Sequence, residues 1–225
     1  MTPGAAPALP STDAFLPPDK VRHPSVVPDP PTKQHVPKQE PGVRPSRALG
    51  YRLHVDLHVA ATGLEYTISN RGRLGAQLQA RSNDVAGAPF SYTVGAGRTL
   101  HPRLPASGRF DVSFHGPNGF FRRFAGSTKD PVLEVHARRN SGKLVLRLHN
   151  RSGEAVQASV TDAYGPDRTV RVPGHATRKV SVDLARTHGW YDVLVTVEGH
   201  PSLKRGLAGR FENGRDGTSD PQLGR

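Results

Sequence analysis

Sliding the sequence against itself by 80 residues brings Leu53, Val55, Leu64, Tyr66, Ile68, Asn70 and Arg71 onto Leu133, Val135, Leu144, Leu146, Leu148, Asn150 and Arg151. Identical or apolar residues meet at every one of these positions. A shift of 81 lays Phe110, Val112 and Phe114 on Tyr191, Val193 and Val195, and a shift of 83 lays Phe120, Arg122, Phe124, Ala125 and Gly126 on Leu203, Arg205, Leu207, Ala208 and Gly209. The drifting offset fits short insertions in surface loops, where added length costs little. A chain of this kind is two copies of one unit, so its fold must be one that roughly 80 residues can build.

The apolar pattern inside each copy has a period of two. In Leu53-His54-Val55-Asp56-Leu57-His58-Val59 the odd positions are apolar and the even ones polar, which puts one face of a strand in a core and the other in water. Similar runs follow at 64–69, 77–81, 90–94 and 110–115, separated by Gly, Asn, Pro and Ser, and no stretch keeps helical periodicity over three turns. Short strands at such intervals predict an all-β chain of two tandem antiparallel β-sandwich, immunoglobulin-like domains. The first copy spans 51–127 and the second 132–215, with a tail at 216–225. Each copy is small for a free-standing domain, so the two are expected to pack together.

Residues 1–50 form a Pro-rich linker holding 12 of the 21 prolines, each of which fixes φ and removes an amide donor, so residues 1–45 are expected to lack regular structure. A linker at the amino terminus implies something before it. Met1 is followed by Thr-Pro-Gly-Ala-Ala-Pro, without the basic start and apolar stretch of a signal peptide, and no apolar window approaches a membrane span. The absence of cysteine removes disulfides, Fe–S clusters and thiol nucleophiles. A formal charge of +12 favours anionic partners, but the excess is spread along the chain and forms no basic tail.

Three passages carry a more specific signal. The first is Phe110-Asp111-Val112-Ser113-Phe114-His115-Gly116-Pro117-Asn118-Gly119-Phe120-Phe121-Arg122-Arg123-Phe124-Ala125-Gly126, a hairpin whose turn is Gly116-Pro117-Asn118-Gly119. Its counterpart runs from Gly189-Trp190-Tyr191-Asp192 to Leu207-Ala208-Gly209-Arg210, and the third passage is Pro37-Lys38-Gln39-Glu40-Pro41-Gly42-Val43-Arg44-Pro45-Ser46-Arg47-Ala48-Leu49. Together with Glu212-Asn213-Gly214-Arg215 and Ser219-Asp220-Pro221, they resemble the carboxy-terminal region of bacterial phosphocholine-preferring phospholipases C, both hemolytic and non-hemolytic. The resemblance implies a tandem pair of β-domains behind a larger phosphoesterase domain that carries the metal and the nucleophile, in a family that is secreted or periplasmic. Gly50 departs from the family's usual proline before the tyrosine, which is expected to loosen the approach to the first strand.

The residues themselves offer little autonomous chemistry. His54, Asp56 and His58 share a strand face and could begin a Zn²⁺ site, but their counterparts are Glu134, His136 and Arg138, and an arginine cannot ligate a metal. The favoured reading is the wet side of an amphipathic strand. Gly95-Ala96-Gly97 lacks the third glycine and the helix of a dinucleotide fingerprint and reads as a turn, and no Gly-x-Ser-x-Gly elbow occurs. The sequence therefore assigns no catalytic residue, no cofactor and no metal. Phe121, Arg122 and Arg123 are candidates for contact with a lipid surface, rings among headgroups and guanidiniums on phosphate. Arg122 and Arg205 nevertheless fall on the nominally apolar face, where an acidic partner or a turned-out strand end is expected. The reading that follows is a non-catalytic accessory module of a phosphatidylcholine-hydrolysing phospholipase C, with the catalytic domain as partner, a phospholipid surface as a further one and no specific nucleic acid. The alternative is a basic nucleic-acid-binding β-protein, disfavoured by the lack of a basic helix or tail and by few aromatics.

Overall fold

The alternation is realised strand by strand. A computed structural model describes residues 32–33, 41–60, 63–106, 108–128 and 133–223, and among these every regular element is a β-strand. Apart from residues 32–33 and 41–50, the proline-rich segment lies outside the described residues.

After β1 (Pro45–Ser46), the first half contains β2 (Leu53–Ala60), β3 (Gly63–Asn70), β4 (Ala76–Ser82), β5 (Phe90–Val94), β6 (Thr99–Leu100), β7 (Arg103–Leu104), β8 (Arg109–His115) and β9 (Phe121–Ser127). The second half contains β10 (Leu133–Asn140), β11 (Lys143–Asn150), β12 (Val156–Asp162), β13 (Arg168–Val172), β14 (Thr177–Asp183), β15 (Trp190–Val197) and β16 (His200–Arg210), and β17 (Gly217–Thr218) closes the chain. In each half two antiparallel sheets enclose a core. The first half sets β2-β3-β6, with β7 also on β3, against β5-β4-β8-β9, and the second sets β10-β11-β14 against β13-β12-β15-β16. The long strand β14 corresponds to the two short strands β6 and β7, and the break falls at Pro102, which has no amide to donate. The Pro102 carbonyl still accepts from the Tyr66 amide at 2.9 Å.

The cores differ in composition. Tyr66, Phe114 and Phe124 meet ring to ring in the first, with centroids 4.8–6.2 Å apart. Leu146, Val195 and Leu207 take part in the second. The repeated asparagine is fully buried in both. Asn70 Nδ2 donates to the Leu74 and Val94 carbonyls while its Oδ1 accepts from the Gly72 amide, and Asn150 does the same with Glu154, Val172 and the Ser152 amide. Each asparagine thus satisfies a loop that must cross the edge of a core without a ladder partner.

The two sandwiches are not beads on a string. Strand β9 pairs antiparallel with β16, so the two inner sheets fuse into one eight-stranded sheet in the order β13-β12-β15-β16-β9-β8-β4-β5. Both sandwiches accordingly belong to a single compact unit.

Order also reaches into both flanks. Strand β1 pairs with β17, the Ser219 amide donates to the Arg44 carbonyl at 2.7 Å, and the Ala48 and Leu49 amides donate to Asp216 and Glu212. The last residues of the expected linker and the first of the expected tail therefore complete one another's backbone hydrogen bonds. Gly50 is correspondingly tight and not loose: its carbonyl accepts from the Arg73 amide at 2.9 Å, and a Cβ there would lie 2.7 Å from Leu74 Cγ.

Candidate functional site: the seam between the sandwiches

The inner layer of the seam is the β9–β16 ladder, which pairs Phe121 with Ala208, Arg122 with Leu207, Arg123 with Gly206, Phe124 with Arg205 and Ala125 with Lys204. Under the 83-residue shift, Arg123 and Gly206 are equivalent positions that face each other, so a local two-fold axis passes between them. Identical residues at such a point would crowd or repel. Here an arginine meets a glycine, and a Cβ on residue 206 would sit 3.2 Å from Arg123 Cβ and 3.3 Å from the Phe121 ring.

On either side of that axis lie Arg122 and Arg205, 1% and 5% exposed. Arg122 Nη1 donates to the Phe121 and Ala208 carbonyls at 2.6 and 2.9 Å, and Arg205 Nη1 donates to the equivalent Lys204 and Ala125 carbonyls at 2.9 and 2.5 Å. The partners are main-chain carbonyls, one on each strand, and the acidic partner expected from the sequence is not used. Arg122 Nη2 also donates to the Tyr191 hydroxyl at 2.8 Å, with its guanidinium 4.4 Å from the Phe120 ring centroid and 5.4 Å from that of Tyr191. Burial pulls the Arg205 guanidinium down to about 10, which leaves it charged at neutral pH.

This geometry corrects one lipid-surface candidate. Arg122 is buried and cannot reach a headgroup. Phe121 is half-buried with its edge on the His115 ring at 5.2 Å, and Arg123 is bound through Nε and Nη2 to Asp111 at 2.9 and 2.5 Å.

The outer layer of the seam has no ladder. Strands β2 and β10 meet through side chains, and the expected wet face of β2 is turned toward the second sandwich. Asp56 receives His54 Nε2 on Oδ2 at 2.7 Å and His136 Nδ1 on Oδ1 at 3.0 Å. Glu134 Oε1 accepts from Arg151 at 3.0 Å and lies 3.4 Å from His58 Nδ1. Asp56 and His136 are equivalent under the 80-residue shift, so this contact too sets matching positions of the two copies against each other and joins unlike residues. Burial pushes the Asp56 carboxyl up, but hydrogen bonds from His136 and His54 outweigh it and hold the group well below the usual carboxylate range. His136 is raised by its bond to Asp56 against the opposing pull of burial. The imidazoles and carboxylates are spent on one another, and among the described residues no group of three or more is placed to hold a metal ion.

A third contact clasps the ends. Glu212 Oε1 accepts from Arg210 at 3.0 Å and from Asn118 Nδ2 at 2.8 Å, while Oε2 accepts from the Leu49 amide. Asn118 stands at φ 55° beside Gly119 at φ 69°, so the positive-φ turn foreseen in the first hairpin presents its side chain to the second half. The Gly95-Ala96-Gly97 passage is also a turn, with the Arg98 amide on the Gly95 carbonyl. Between clasp and seam opens a cleft of about 630 Å³, bordered by arginines of both halves and floored by Phe120, Tyr191 and Phe211.

The model of the bacterial phospholipase C C-terminal domain matches this sequence twice, over residues 45–127 and 131–210. The chain belongs to that family. It is 38% identical to a non-hemolytic phospholipase C of Burkholderia pseudomallei over 98% of this chain and 33% of the relative, and 39% identical to a non-hemolytic phospholipase C of Pseudomonas aeruginosa over 88% and 31%. A hemolytic phospholipase C of Pseudomonas aeruginosa is 34% identical over 84% of this chain and 30% of its own length. The chain therefore spans about a third of the length of these relatives. A solved structure, red sea bream transglutaminase, matches with a TM-score of 0.28 at 15% identity over 73% of this chain and 31% of that one, too weak to bear on the fold.

For this phospholipase C C-terminal chain, the seam is held by Arg122 and Arg205 in the inner layer, by Asp56 and His136 in the outer one and by Arg210 and Glu212 at the clasp. The sequence placed Asp56 and His136 on equivalent strand faces, but only the contact between them in the fold shows that those faces meet. Glu212 stood in the sequence only as part of the closing Glu212-Asn213-Gly214-Arg215 passage, with nothing to mark it as a clasp.

Proposed function

We propose that this chain is the non-catalytic carboxy-terminal accessory module of a phospholipase C that splits phosphatidylcholine into diacylglycerol and phosphocholine. In this reading it is a tandem duplication of one sandwich, exported with its catalytic domain and serving as a rigid base for it. The double match to the C-terminal family, in a chain about a third as long as its relatives, carries the proposal. The seam supports a mechanical role, because its buried arginines, its acid–histidine pairs and Glu212 all hold one half to the other. Phe121 and Arg123, on the outer face of the shared sheet, remain the candidate contacts for a phospholipid surface.

Two assays test this reading. The purified chain should release phosphocholine from phosphatidylcholine vesicles only at background, with or without added Zn²⁺ or Ca²⁺. The Burkholderia pseudomallei relative, truncated before its matching third, should regain several degrees of thermal stability when this chain is supplied. Metal-dependent release by the chain alone, lost in H54A/H58A, would overturn the proposal.

A further inference from the structure

The two ends of the outer seam differ in charge balance. At one end Glu134 answers both Arg151 and His58. Continuing the facing order set by Asp56–His136 and His58–Glu134 places His54 opposite Arg138, and both line the cleft. Arg52, Arg71, Arg138 and Arg139 border the same cleft, and their exposed side chains make no hydrogen bond or ion pair among the described residues. The two carboxylates of the cleft are already committed, Asp56 to the histidines and Glu212 to Arg210 and Asn118.

A second observation points the same way. Arg122 is 1% exposed, has no carboxylate partner, and its Nε has no hydrogen-bond partner. It packs against the Phe120 and Tyr191 rings, which form the cleft floor, so a buried positive charge lies beneath a rim of unpaired positive charges. Guanidinium groups favour planar or tetrahedral oxyanions through paired N–H donors. One carboxylate could occupy only one or two of them, whereas a phosphate monoester offers three acceptor oxygens and close to two negative charges at neutral pH. Tyr51 and Leu53 give its organic part an apolar wall.

We propose that the cleft between the sandwiches is a binding site for an organic phosphate, held by Arg52 and Arg71 from the first half and Arg138 and Arg139 from the second. Such a site stands independently of the accessory role. Calorimetric titration with glycerol 3-phosphate and co-sedimentation with vesicles of phosphatidic acid in phosphatidylcholine, both at fixed salt, test it on the full chain. The R52E/R138E variant should weaken binding roughly tenfold or more, and R71E/R139E should do the same. R109E/R171E, which changes the net charge equally on strands away from the cleft, should stay within about twofold of the parent. The milder R52Q/R138Q replaces the reversal if that variant fails to fold. Binding of glycerol 3-phosphate identifies a soluble ligand, and cleft-dependent binding of phosphatidic acid vesicles alone identifies a lipid headgroup. Either result sustains the site. Binding to neither probe, equal losses in the cleft and control variants, or a preference for duplex DNA at matched salt overturns it.

Discussion

The inner and outer layers of the seam join the same two sandwiches by different physics. In the inner layer five ladder pairs and two buried arginines act through backbone carbonyls. In the outer layer the contact is made by side chains alone, centred on Asp56 and His136, and depends on a proton. The contrast teaches that the first layer fixes the architecture and the second only adjusts it. Both layers, however, set matching positions of the two copies against each other with unlike residues, Arg123 against Gly206 and Asp56 against His136, where two identical copies would set like against like. A fused pair of sandwiches can therefore use contacts closed to a symmetric dimer.

The largest effect should come from the inner layer. Arg122→Ala strips donors from two carbonyls and the Tyr191 hydroxyl in a dry site and should cost about 3 kcal/mol in urea denaturation. Arg205→Ala, which removes no hydroxyl contact, should cost less. If Arg122→Ala proves neutral, the inner layer is not the stronger one. Asp56→Asn comes next. It weakens two charge-assisted bonds at a partly solvated site, for about 1–2 kcal/mol, and should leave the β9–β16 amides protected from exchange.

Acidity separates the layers further. His136 is raised by Asp56, so its contribution is complete below the ordinary histidine value of 6.5 and is lost as pH rises through its elevated folded value. Asp56 is lowered, so its contribution is present above 3.8 and is lost as pH falls through its depressed folded value. The outer contact should thus be tightest between those limits and slacken on the alkaline side by a screened amount, under about 1 kcal/mol, against the opposing charge of Arg147. The midpoint of denaturation followed across pH should lose this slope in Asp56→Asn. A slope that survives places the titrating group elsewhere.

The smallest effect concerns the cores. The Tyr66 hydroxyl is buried without a hydrogen-bond partner, whereas the second half carries Leu146 at the same place. Tyr66→Phe should be neutral or stabilising by up to about 1 kcal/mol, and a clear loss in thermal midpoint would show that the hydroxyl has a partner after all.

Much of this was legible in the residues. Alternation located β3, β4, β5 and β8 to within a residue or so, and the turn at Gly116–Gly119 was readable from its chemistry. The paired Arg122 and Arg205 announced a buried charge, but sequence spacing cannot distinguish a carboxylate from a main-chain carbonyl as the acceptor. The histidine face of β2 misled because period two reports which side of a strand avoids its own core, and a polar side can equally meet water or another sandwich. The clasp joins Glu212 to Leu49 and Asn118, both far away in the chain, and no local pattern foretells such a meeting.

The two sandwiches are one body joined through β9 and β16. Native-state hydrogen exchange of the amides of residues 121–125 and 204–208 tests this most directly. Their protection should equal that of β3 and β11, with exchange only through global unfolding in a single transition. Rapid exchange of these amides while the two cores stay protected, or two separate unfolding transitions, would contradict it.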